Sequence, residues 1–197
     1  IGPAPQTPPA PAPTPAAQAP GLLPSDDSYV ELGKPDQNFG TNSLLRVKSN
    51  PSGSIIRIAY LKFKVDNAPA VKEAIFRFTG RLSENNPDDA KYEYAVYGLT
   101  NDDWQETTIT WNNSPNHAAN APEVTGVGET AFFLGTVTMA EKKVKQYTLE
   151  VTEFVKTQTD GVITLMMIDL KRQDGNTDIF AKDRSNEAEK PVLILKY

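Results

Sequence analysis

The sequence predicts an all-β fold: an antiparallel β-sandwich of jelly-roll type, preceded by a disordered Pro/Ala-rich linker. Three observations predict it. From Asp26 onward, short runs rich in β-branched and aromatic residues recur between clusters of Gly, Asn, Asp and Pro, the rhythm of a sandwich. Within those runs apolar and polar residues alternate with period two, as on a strand with one buried face. Before about Pro24 the chain is almost entirely Pro, Ala, Gly, Thr and Gln, and prolines lack the N–H that a helix or a sheet ladder needs.

That first stretch, residues 1–24, is therefore expected to sample extended polyproline II and to act as a semi-rigid spacer. One globular unit is expected over residues 25–197. Its strands are placed, in order, at Ser28 to Leu32, Leu44 to Lys48, Ile55 to Val65, Glu73 to Leu82, Tyr92 to Leu99, Ile109 to Trp111, Thr130 to Thr138, Lys145 to Val151, Val162 to Asp169, Asp178 to Lys182 and Val192 to Tyr197. Eleven runs suit two sheets packed face to face. One short helix is expected at Thr152 to Thr157, with Thr152 as its cap and Val151, Phe154 and Val155 turned inward.

Alternation assigns faces. Ala59, Leu61, Phe63 and Val65 share the core face of their strand, and Tyr60, Lys62 and Lys64 point the other way. By the same logic Leu45 and Val47 are buried while Arg46 and Lys48 point outward, onto a common sheet surface if the two strands are neighbours.

Composition removes whole classes of mechanism. The 197 residues contain no Cys, which leaves no disulfide framework, zinc-thiolate site or thiol nucleophile. The net charge of -5 argues against a general nucleic-acid partner, which needs a basic excess. No run approaches the roughly 20 apolar residues of a membrane helix. The linker-like start without an initiating Met is read as a piece of a longer polypeptide, secreted or at the cell surface and bacterial in character, with its signal upstream.

Three groups of residues could carry chemistry. His117 stands alone in a turn-like stretch without metal partners at ligand spacing or a nucleophile motif, and reads as a surface-loop histidine. Asp102, Asp103 and Glu106 flank Trp104, a mixture that a sugar cleft could use. Trp104 and Trp111 read better as aromatics packed against the sandwich. Between Gln37 and Val65 there is no Asp or Glu, yet Arg46, Lys48, Arg57, Lys62 and Lys64 fall there. Such segregation of sign favours a polyanion, and Arg grips a carboxylate with paired hydrogen bonds. The same charges would also keep sheet edges from associating. Lys182 and Arg184 form a second basic group beside Asp183 and Glu187. Structural calcium would find hard oxygen donors among Asp26, Asp27, Asp36, Asp66, Asp169 and Asp183, although no EF-hand spacing occurs.

The order of motifs resembles the DNRLRE domain, whose carbohydrate-binding members form carbohydrate-binding module family 96. The resemblance runs through Ser28-Tyr29-Val30, Asn38-Phe39-Gly40, Leu45-Arg46-Val47-Lys48 and Arg57-Ile58-Ala59-Tyr60-Leu61-Lys62-Phe63. It continues with the tryptophan-rich Trp104 to Asn112, then Val151-Thr152-Glu153-Phe154-Val155, and closes on Lys190-Pro191-Val192-Leu193. The name-giving run itself is absent, Phe39 stands where Tyr is usual, and Val192 where Arg is common. The resemblance implies a non-catalytic β-sandwich appended to a secreted enzyme and binding alginate or another polyuronate. Arg46, Lys48 and Arg57 carry over as ligand contacts, and Lys182 falls near a late basic position. Lys62 is expected at the rim, and Tyr60 as a ring contact. Two other readings stay open: a structural or adhesive cell-surface domain without a sugar site, and a hydrolase or lyase using the carboxylates around Trp104.

Overall fold

The computed structural model describes residues 21–197; the linker expected over residues 1–24 therefore lies, up to residue 20, outside the described residues. Among the described residues, eleven strands form two antiparallel sheets. They are β1 (Asp26–Glu31), β2 (Leu44–Leu45), β3 (Lys48–Ser49), β4 (Ile56–Lys64), β5 (Glu73–Leu82), β6 (Tyr92–Leu99), β7 (Ala131–Met139), β8 (Lys145–Glu150), β9 (Val162–Ile168), β10 (Thr177–Phe180) and β11 (Val192–Lys196), with one helix, α1 (Thr152–Thr157). A six-stranded sheet runs β1-β4-β9-β6-β7, with β3 also on β4. A five-stranded sheet runs β11-β5-β10-β2, with β8 along β5.

The space between the sheets is filled as alternation requires. Ala59, Leu61 and Phe63 of β4 meet Ala74, Phe76 and Phe78 of β5, with Tyr29, Val96, Tyr147, Leu165 and Ile179 around them. Each large side chain taken fully out of water contributes about 1.5–3 kcal/mol. Phe76 stacks on Phe78 and meets Phe63 edge to face, with ring centroids at 5.4 and 6.2 Å. Helix α1 closes one end and buries Phe154 and Val155. Thr152 is its first residue rather than its cap; the Thr152 hydroxyl accepts the Ala74 N–H at 2.8 Å and pins the helix to β5.

Two expected strands are corrected. Leu44 to Lys48 is not one strand. β2 pairs with β10 of the five-stranded sheet and β3 pairs with β4 of the six-stranded sheet. The chain steps between sheets at Arg46 and Val47, where the Thr177 hydroxyl takes both backbone groups of Val47, at 3.2 and 3.0 Å, in place of a ladder partner. Ile109 to Trp111 is a series of turns, its Ile109 N–H bonded to Gln105 O and its Ile109 carbonyl to the Asn38 amide.

Residues 100–130 fold back over the outer face of the six-stranded sheet. Trp104, Ile109 and Trp111 there bury Ile58, Tyr60, Tyr97, Leu99, Met166 and Ile168 in a second hydrophobic cluster. The chain that precedes β1 is also part of the fold. Leu22, expected within the linker, exchanges two backbone hydrogen bonds with Leu193 of β11, at 2.8 and 2.9 Å.

Candidate functional site

The structure disperses the six residues proposed from sequence as ligand contacts. Tyr60 is fully buried, its hydroxyl donating to Pro115 O at 2.8 Å, so it offers no ring face to a ligand. Lys62 lies over the Trp104 ring at 4.5 Å and donates to the backbone carbonyls of Asp102 and Trp104. Both point away from the core, as alternation requires. That face is simply covered, because residues 100–130 lie on it.

Lys48 is buried against Asp174, at 2.8 Å, and the Asn176 side chain, at 2.9 Å. Arg57 is held by both carboxylate oxygens of Glu31, its cross-strand partner, at 3.1 and 3.2 Å. Lys182 turns into a group of carboxylates, 2.8 Å from Glu106 and 3.3 Å from Asp183. The shared Arg46 and Lys48 surface therefore does not form, since the crossover at Val47 sends them to different sheets.

Arg46 instead lies on the outer face of the five-stranded sheet, where it meets other arginines. On β5 the core takes Ala74, Phe76, Phe78 and Leu82, so Arg77 and Arg81 face outward. Asp178 of β10 sits opposite Arg81 and pairs with it at 3.5 Å and with Arg46 at 3.4 Å. Two residues along β10, Phe180 carries the guanidinium of Arg184 stacked at 3.8 Å, and Glu189 steadies that guanidinium at 2.8 Å. The Arg46, Arg81 and Arg184 side chains keep 35, 40 and 31% of their surface open. A shallow pocket of about 230 Å³ lined by Tyr29, Asn42, Ser43, Leu44 and Arg46 adjoins this row. Chemically, the row offers several fixed forks of N–H donors on a flat surface, a device for planar carboxylates or sulfates.

A search with family models matches the chain over residues 19–197 to the model described as carbohydrate-binding module family 96. The chain belongs to carbohydrate-binding module family 96. No curated protein matches it. As a family 96 module it is a carbohydrate-binding unit of a generally non-catalytic kind, and no helix among its described residues is long and apolar enough to cross a membrane.

The remaining polar groups of the family 96 module are arranged for structure. The Trp104 indole donates to Thr164 at 3.2 Å and the Trp111 indole to Ala119 O at 2.9 Å. His117 is half-buried rather than a free surface histidine: its ring packs tilted against Trp111, its Nε2 lies 2.8 Å from the Ser114 hydroxyl, and burial lowers its pKa. Asp169 is consumed by the N–H groups of Ser49, Lys171 and Gln173. Glu106 gathers with Asp27 and Asp183 rather than with Asp102 or Asp103 of its own loop. Burial pushes the Asp27 carboxyl up to about 7, opposed by the Lys182 N–H, and burial raises Glu106 as well. For Lys182, burial works downward but the bond and charge of Glu106 outweigh it and raise the pKa. Gly40 lets residues 38–42 close onto this loop; a Cβ there would stand 2.1 Å from Glu106 O.

Arg77 and Arg81 were missed as site residues in the sequence, although the alternation that buried Phe76 and Phe78 would have turned both outward. Arg184 was visible as a late basic group, but its stacking on Phe180 has no local signature.

Proposed function

We propose that this module binds an acidic polysaccharide, alginate or another polyuronate, across the outer face of the five-stranded sheet. Arg46, Arg81 and Arg184 hold successive carboxylates, and Arg77 extends the row along β5. The observation that carries this reading is the pairing of Arg46 and Arg81 on one carboxylate, Asp178, of a partly open sheet face, with Arg184 stacked on Phe180 two residues along the same strand. Asp178 and Glu189 fix the arginines in position before a ligand arrives, which lowers the ordering cost of binding. The polar pocket beside Arg46 supplies hydroxyl and amide partners for a sugar ring. Through the Pro/Ala-rich segment the module keeps an appended secreted enzyme at high effective concentration near its substrate.

Affinity electrophoresis through gels containing alginate, pectin or a neutral β-glucan tests this directly. Alginate is expected to retard the module at low salt, with the effect weakened at moderate salt and lost in Arg46→Ala/Arg81→Ala. A Lys64→Ala control, on an exposed residue of the opposite sheet, should behave as wild type. Equal migration in every gel would overturn the reading.

One observation favours the adhesive alternative. Phe133 and Val127 are 58 and 59% exposed beside Phe132, at the β7 edge, and exposed apolar patches mark protein contacts. In that case Phe133→Ser would abolish partner binding and the double arginine variant would be silent.

A further inference from the structure

Where β1 passes the end of β10, Asp27, Glu106 and Asp183 each bring a carboxylate oxygen within 4.8 Å of the other two. They come from three separate places: a strand, the loop that covers the six-stranded sheet, and the turn that follows β10. Asp27 is fully buried. Its Oδ2 accepts the Lys182 N–H at 2.6 Å, but its Oδ1 is shielded from solvent and has no hydrogen-bond partner. A buried carboxylate oxygen left without a donor costs stability unless something else satisfies it. The Lys182 ammonium pairs with Glu106 and Asp183 and not with Asp27. Three carboxyl groups thus share one ammonium, which reaches two of them.

We propose that Asp27, Glu106 and Asp183 form a binding site for one divalent cation of the calcium class. The donor set is all oxygen; the chain has no Cys and its single His lies elsewhere, which disfavours zinc-type ligation. Calcium takes six to eight oxygens in flexible geometry. Three carboxylates, each able to bind through one or both oxygens, supply part of that shell. Water completes it from the side of Asp183, whose side chain is 41% exposed. The ion would fasten β1, the covering loop and the turn carrying Lys182 and Arg184 to one point, so it braces the covered face and the arginine row together.

Isothermal titration of the EDTA-treated, dialysed chain with calcium chloride tests the site. Terbium luminescence excited through Trp104, two residues from Glu106, and thermal melting with and without calcium accompany it. The expected result is one ion per chain, a melting temperature raised by calcium, and affinity lowered on the order of tenfold or more in Asp183→Asn. Asp36→Asn should leave binding unchanged. Lys182→Gln removes the competing charge, so it should bind calcium more tightly than wild type; this variant keeps the test decisive if Asp183→Asn fails to fold. No binding at millimolar calcium, or equal binding in wild type, Asp183→Asn and Lys182→Gln, would overturn the proposal.

Discussion

The outer faces of the two sheets began with the same kind of residues and ended differently. On the six-stranded sheet Tyr60 and Lys62 point outward from β4, and residues 100–130 lie down on them. On the five-stranded sheet Arg77 and Arg81 point outward from β5 and remain partly open. Period-two alternation therefore assigns a side chain to a face and says nothing about what covers that face. The cover is decided by segments far away in sequence. Lys62 is the clearest case: its ammonium satisfies carbonyls of the covering loop instead of meeting solvent and sits over the Trp104 ring.

The contrast can be broken most forcefully at Trp104. It is 5% exposed within the cluster that closes the covered face, so Trp104→Ala is expected to cost about 3–5 kcal/mol in urea denaturation. The variant that remains folded should migrate as wild type in alginate gels. Loss of retardation without loss of stability would mean that the tryptophan is a ligand platform after all.

A pH series sharpens the same contrast at the seam between the sheets. The Asp27 carboxyl titrates at about 7 in the folded chain against an ordinary 3.8, so the native state binds the extra proton between those values. Stability contributed by this group is therefore present below about pH 4 and is lost as pH rises to about 7, by up to about 4 kcal/mol. Melting curves in EDTA should show this slope in wild type and not in Asp27→Asn. A steeper wild-type loss on acidification over the same window would contradict the assignment.

On the open face, Arg46→Ala/Arg81→Ala should cost about 2 kcal/mol or more in alginate binding, since hydrogen bonds to charged groups contribute roughly 1.5–3 kcal/mol each. Its stability should shift by about 1 kcal/mol at most, because partly exposed pairs are worth little. Smallest of all, Tyr60→Phe leaves the Pro115 carbonyl without its donor and should cost about 1 kcal/mol in denaturation, with no change in ligand retention.

Much of the sandwich was legible. Glu73 to Leu82 appears as β5 with those bounds, and the inward turn of Val151, Phe154 and Val155 matches α1. Both rest on local periodicity, which a single strand or helix must obey. Leu44 to Lys48 obeyed it too and still splits, because one hydroxyl, Thr177, captures both backbone groups of Val47 from 130 residues away. The family was legible through the order of its motifs. The basic residues carried over with it were found in other company: Arg57 needed Glu31 across the ladder, and Lys182 needed Glu106 from the covering loop. Neither pairing has a sequence spacing that announces it. Among the six, Arg46 alone reaches the arginine row.

The two hydrogen bonds between Leu22 and Leu193 have a mechanical meaning. Residues 21–31 run from the edge of one sheet to the edge of the other, touching β11 first and pairing with β4 afterwards through six registered residues. A pull applied through the preceding segment, as flow exerts on a tethered particle, meets the short bridge before it meets β1. Two hydrogen bonds are expected to yield before six registered pairs, so the bridge would act as a slip joint ahead of the main fastening.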